Sequence, residues 1–221
     1  MQATSLPRAF SWLSLLALAA CGIPPGQAAG GSADGVVPCA AQVGAQDAAR
    51  RVQVCRQVSP ATHPPCNAAN SCAMIEEEIA RSCALFDGNG APMADCRPAP
   101  KSAEAAAAVV ERYYSAINAR DYDTAWRQWG ENGPRGQTPA GFRAGFAHTR
   151  TAKVTIGKLE PGEGAAGSIY QTVPVTVDAT LDDGTRQRFR GHYVLRRVNG
   201  VDGATPEQLR WHIDSARLSA E

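Results

Sequence analysis

The chain of 221 residues lacks an excess of charge of either sign: 22 lysines and arginines stand against 21 aspartates and glutamates. That balance gives no sign of the strongly basic surface on which nucleic-acid binding depends. No cysteine pair has the C-x-x-C spacing, and His63 is the only histidine near the cysteines. Thiolate zinc chemistry therefore has no ligand pattern to work with, and neither a metal nor a cofactor is expected. After residue 21 no run is long and apolar enough to cross a bilayer, which takes about 20 residues. Cysteine is absent beyond Cys96, and period-two patterning is absent before Lys101. These last two absences divide the chain into a cysteine-rich segment, 39–97, and a larger cysteine-free one, 101–221, joined by "RPAPK".

What is present begins with a leader. Residues 1–20 carry one charge, Arg8, and then "FSWLSLLALAA", the shape of a secretory signal. Seven cysteines are an odd number, which leaves one without a disulfide partner in an exported protein. Leu18-Ala19-Ala20-Cys21 resembles the bacterial lipobox. That resemblance implies acyl transfer to the Cys21 thiol and cleavage before it. The rival is plain secretion, with cleavage after Ala17-Leu18-Ala19. Lipid on Cys21 leaves an even six, as an oxidising compartment requires. In lipoproteins generally, Asp after the lipidated cysteine retains the protein in the inner membrane. Gly22 stands there, which implies the outer membrane, facing the periplasm. Residues 21–38, rich in Gly, Pro and Ala, read as a flexible tether.

The segment 39–97 predicts a helical hairpin stapled by disulfides. One helix runs through "AAQVGAQDAARRVQVCRQV", "HPPCN" interrupts it, and a second helix follows. Asn70 or Ser71 caps the second helix and Gly88 stops it. Glu76, Glu77 and Glu78 are expected on a solvated face. Cys72 and Cys83 lie three helical turns apart, about 16 Å at 1.5 Å per residue, so they cannot bridge each other. The expected pairs are Cys55–Cys72, Cys39–Cys83 and Cys66–Cys96, one of 15 arrangements that six cysteines allow.

From residue 101 the pattern predicts an α+β domain. "SAEAAAAVVERYYSAINARDYDTAWRQWG" reads as two helices broken at "ARD", with Asp121 or Asp123 capping the second. Thr138-Pro139 starts a third. Strands follow in "AKVTIGKLE", "SIYQTVPVTVDATL", "TRQRFRGHYVLRRV" and "LRWHIDSARL", with Asp183-Gly184 as a hairpin turn. Ile169, Val173, Val175 and Val177 share a face that Gln171 interrupts. Phe189, Tyr193 and Leu195 form the inward face of the next strand. The opposite faces carry Arg188, Arg190, His192, Arg196 and His212.

This order, three helices before a curved four-stranded antiparallel sheet, resembles the nuclear transport factor 2-like cone superfamily over roughly 103–219. The pieces "INARDYDTAW", "GAAGSIYQTVPVTV" and "GHYVLRR" are also similar to a group of proteobacterial envelope lipoproteins, which implies no activity. The superfamily includes isomerases, dehydratases and cyclases as well as non-enzymatic binding and assembly modules, so the fold leaves function open. In its enzymes a pocket between sheet and helices holds an acid or a His–Asp pair.

The candidates for such a role are His148, Asp178, His192, His212 and Asp214. Strand alternation puts the sheet's members on the wet face, so no catalytic residue is assigned. Tyr113, Trp126, Trp129, Phe142, Phe146, Tyr193 and Trp211 either line a ligand cavity or fill a core. Arg188, Arg190, His192, Arg196 and His212, with Lys158 nearby, form either a basic patch or a solvated face balanced by Asp178, Asp182 and Asp214. A basic patch would serve a homodimer or an anionic partner, such as peptidoglycan, lipid headgroups or another protein. The expectation is an envelope lipoprotein that binds a partner or a small apolar ligand without catalysis. The alternatives are a pocket enzyme of isomerase or dehydratase type and an assembly protein using its disulfide hairpin. Expressed in a Gram-negative host fed labelled palmitate, the full chain should take up label and Cys21→Ser should not. Plain secretion instead predicts unlabelled protein in both cases.

Overall fold

Gly44 breaks the first predicted helix in two, because its φ of 86° is a left-handed value that an L side chain rarely adopts. The result is α1 (Cys39–Val43) followed by α2 (Ala45–Val58). The computed structural model describes residues 35–60, 65–86 and 95–221. The leader, Cys21, His63 and Gly88 lie outside those residues. Helix α3 (Cys72–Phe86) is capped by Ser71, whose Oγ accepts from Met74 N at 3.1 Å. Asn70, the other candidate cap, instead donates to the Pro65 carbonyl.

All six cysteines beyond residue 21 are bridged, but the pairs differ from those expected. Cys39 joins Cys72, Cys55 joins Cys66, and Cys83 joins Cys96. The reason is the break at Gly44. One continuous helix would carry Cys39 along the length of α3 toward Cys83. Folded back, α1 instead lies at the start of α3, where Cys39 N donates to Asn70 O. Cys55 and Cys83 then bridge to Cys66 and Cys96, 11 and 13 residues further along the chain. The glutamates also depart from expectation. Glu77 and Glu78 are buried, because that side of α3 packs against the rest of the chain. Burial opposes the charge of Glu78, yet hydrogen bonds from Arg81, Ser59 and Ser82 outweigh it and hold the carboxyl below its usual range.

Three helices come next: α4 (Ala103–Asn118), α5 (Tyr122–Arg127) and α6 (Pro139–Gly145). Ser102, Asp121 and Thr138 cap them, accepting from Ala105 N, Thr124 N and Gly141 N. They pack on an antiparallel sheet of β1 (Thr149–Ile156), β3 (Ser168–Leu181), β4 (Arg186–Val198) and β5 (His212–Ala220), in the order β1-β3-β4-β5. A three-residue β2 (Glu163–Ala165) adds to β3. It escapes the sequence pattern because all three residues are exposed. Thus the fold is α+β, three helices on four long antiparallel strands, preceded by disulfide-stapled helices.

The sheet's inner face joins Val173, Val175, Tyr193 and Leu195 to Val109, Val110 and Ile117 of α4 in one core. Gln171, on the same face, is 3% exposed and donates to the carbonyls of Glu160 and Thr172, so its burial is compensated. A bulge in β5 sets the last strand. Leu195 pairs with Ile213 and Val194 with Ser215, which leaves Asp214 as the extra residue. Ile213 and Leu218 are five residues apart and would face opposite ways on a regular strand. With the bulge, both pack against the core.

The described residues belong to one compact unit. Ala73 of α3 shares the core of the sheet domain. Ser71 Oγ donates to the Asp121 carboxylate, so one contact joins the caps of α3 and α5. Val37, at the end of the proposed tether, donates to the Ala119 carbonyl at 2.8 Å. The segment 97–101 is held as well, since Pro100 O accepts from both Arg197 Nη1 (3.1 Å) and Trp211 Nε1 (2.9 Å). Asp121→Ala removes a helix cap and a buried charged hydrogen bond, and should cost about 2–4 kcal/mol in denaturant unfolding. Ser71→Ala should cost less, and the double variant should fall short of the sum.

Candidate functional site

An aromatic cleft lies where α4, the end of α5 and α6 meet. Phe142 and Phe146 stand one turn apart on α6 and its cap, with ring centroids at 5.2 Å. Tyr113 of α4 faces them at 6.3 and 6.4 Å and meets Trp129 edge-on at 6.1 Å. Together with the loop 134–138, these four rings line a cleft of about 490 Å³. Its polar side chains are Gln137, Thr138 and the Tyr113 phenol, with no carboxylate and no imidazole. Burial, together with the neighbouring Tyr114, pushes the Tyr113 phenol far above its ordinary value, so it stays protonated. Such a lining offers apolar area and ring edges but no group to take or deliver a proton near neutral pH.

The remaining aromatics lie elsewhere. Tyr193 sits beneath the cleft at 6.2 Å from Tyr113 and Trp129, and its hydroxyl is hydrogen-bonded to that of Tyr114 at 2.7 Å. Burial raises the Tyr114 phenol to about 12. Trp126 packs against Phe142 and beneath Gly133, where an added Cβ would come within 2.0 Å of the indole. Trp211 is part of a different cleft. The expected aromatic set is thus split between a cleft wall, the core below it and a second depression.

None of the five titratable candidates lines the aromatic cleft. His148 is 87% exposed and lies 3.9 Å from Asp182. Asp178 pairs with Arg188 at 3.1 Å, and Asp214, at the bulge, lies 3.6 Å from Arg135. His192 pairs across the sheet with Pro174 and Arg217. The expected basic face is therefore partly neutralised. Arg188 and Arg190 both reach Glu221, and Lys158 lies on Glu160. Arg196 hydrogen-bonds Ser168 and lies over the Tyr170 ring at 5.9 Å. His212, its cross-strand neighbour, packs near Gly130.

A second cleft, of about 370 Å³, lies among α3, residues 95–100, α4 and the approach to β5. Its charged lining includes Glu76, Glu77, Glu111, Arg112 and Arg210. Glu76 pairs with Arg51 at 2.8 Å. Glu77 takes Arg127 at 3.3 Å and Arg210 at 3.4 Å. Sequence reasoning missed this site because five separated segments build it, Val54 of α2 among them, and none has a motif of its own. One available signal was the position of Arg112, a charge inside the apolar stripe of α4. Among the described residues no cluster of His, Cys, Asp or Glu is placed to hold a metal ion.

No protein-family profile and no curated protein matches the chain. Among solved structures, one described as "a putative aromatic ring hydroxylase" from Novosphingobium aromaticivorans is similar at 16% identity and a TM-score of 0.40. The overlap covers 55% of this chain and 94% of that one. So loose an overlay transfers neither activity nor substrate, and the site is read from its own residues.

His212 carries a pH dependence. Burial, reinforced by Arg210 and Arg196, holds its imidazole below the ordinary value of 6.5. The unfolded state therefore binds the proton first, and stability is lost as pH falls below the unfolded value and through the folded one. Urea unfolding midpoints measured between about pH 7.5 and 5 should fall with acid, and His212→Gln should flatten that part of the slope.

Proposed function

We propose that this protein is a binding module of the cell envelope, tethered by lipid on Cys21, whose aromatic cleft takes an apolar small molecule without transforming it. The observation that carries the reading is the lining of the cleft: four rings around an open volume, with no carboxylate or imidazole among the residues that face it. Apolar walls with a few polar atoms are the usual make-up of a small-molecule site. An isomerase or dehydratase would need an acid–base group there, and a phenol pushed so far up is a poor substitute.

The compartment follows from the bridges. Three disulfides belong to an oxidising, extracytoplasmic setting. Among the described residues no helix is long and apolar enough to cross a membrane. The lipobox-like Leu18-Ala19-Ala20-Cys21 supplies an anchor in this reading, and Gly22 favours the outer membrane. The outer sheet face is weaker ground for an anionic partner or a second copy, since Arg188 and Arg190 are already paired.

The test is a fluorescence titration with 1-aminoanthracene, an uncharged aromatic probe. Saturable one-to-one binding is expected, with Trp129 reporting it. Gly145 lies on the cleft wall, and a Cβ there meets no atom within 4 Å. Gly145→Leu should therefore weaken binding at least about tenfold while leaving the melting temperature in place. Equal binding by the variant, or no saturable binding by the wild type, would overturn the reading.

A further inference from the structure

We infer that the second cleft is a distinct site for a small ligand bearing a carboxylate on an apolar body, anchored by Arg112. Arg112 is only 9% exposed, yet among the described residues its one side-chain hydrogen bond runs from Nε to Gln128 Oε1 at 3.4 Å. Both nearby α3 carboxylates are engaged elsewhere: Glu76 with Arg51, and Glu77 with Arg127 and Arg210. Arg210 is itself doubly paired, with Glu77 and Glu207. Arg112 is thus a buried cation without an ion-pair partner among the described residues. Burial, reinforced by the like charge of Arg210, lowers its pKa, and the fields of Glu76, Glu77 and Glu111, none of them paired with it, work against that. A guanidinium remains charged in such a place, so the charge calls for a counter-ion.

Arg112 also lines the second cleft. Among the described residues, Trp129 Nε1 is the one side-chain nitrogen or oxygen sealed from solvent without a partner. The Nη atoms of Arg112 carry no hydrogen bond among the described residues and are not among the sealed atoms. The guanidinium fork matches a carboxylate by two parallel N–H···O bonds. Around it, Ile79, Ala80, Ala105, Ala108 and Trp211 supply apolar wall, and the volume of about 370 Å³ suits a single aromatic acid. Glu111 is exposed at the cleft, where solvent and salt screen its repulsion.

The experiment uses the exported protein with its disulfides intact. Benzoate is titrated while the Nε–Hε resonance of Arg112 and the indole N–H of Trp211 are followed by NMR. Both should shift saturably, and benzamide, similar in shape but uncharged, should bind at least about tenfold more weakly. Arg112→Gln should abolish the preference for benzoate. Should that variant fail to fold, Ala108→Phe fills the apolar wall and leaves Arg112 in place, and it should block benzoate. The inference is overturned if benzoate gives no saturable shift, if benzamide binds equally well, or if benzoate binding survives Ala108→Phe.

Discussion

The carboxylate of Glu77 holds the two parts of this molecule together. It projects from α3 of the disulfide-bonded segment, 9% exposed, and takes Arg127 from α5 and Arg210 from the approach to β5. A buried carboxylate is costly unless paired, and here the pairing residues come from the other part of the fold. Undocking the stapled helices from the helix layer would break both ion pairs at once. The shared Ser71–Asp121 cap and the Pro100 carbonyl, clasped by Arg197 and Trp211, act in the same direction. The second cleft lies along this docking surface, lined by both parts of the fold.

The aromatic cleft has a different origin. Phe142 and Phe146 come from a helix of seven residues, too short to cover the rings beneath it. Tyr113 and Trp129 are left as a floor, and the Tyr114–Tyr193 hydroxyl pair satisfies the polar atoms deeper in the core. Neighbouring residues of α4 thus serve the two clefts, Arg112 one and Tyr113 the other. An apolar cleft and a cleft holding a buried cation give two surfaces of distinct chemistry on one small body.

The disulfides serve this arrangement by shortening the freedom of a segment with little core of its own. Its buried cluster is small, centred on Cys39, Cys55, Cys66, Cys72 and Ile75. Bridges limit the unfolded ensemble of such a segment more than its packing can stabilise the folded one. Two of the three close loops of 11 and 13 residues, so they pin the ends of α2 and α3 locally, while Cys39–Cys72 ties α1 to the start of α3.

The sequence by itself determined the elements and the class of architecture. The helix stripe from Val109 to Ile117, the Thr138-Pro139 start, the Asp183-Gly184 turn and the alternation along β3 are local signals, and each holds in the structure. It also determined that Cys72 and Cys83 could not meet, a matter of helical rise alone. Tertiary structure decided everything that depends on which segments meet. Gly44 offered a break, but only the packed fold uses it, and the bridge pattern changed as a result. Glu77 and Glu78 read as solvent-facing until α3 acquired neighbours. Arg188 and Arg190 read either as part of a basic patch or as part of a face balanced by Asp178, Asp182 and Asp214, and the fold set Asp178 and Glu221 alongside them. Local pattern records which face of an element is apolar. It carries no record of distant partners, because pairing energies arise only when separated segments are brought within a few ångströms.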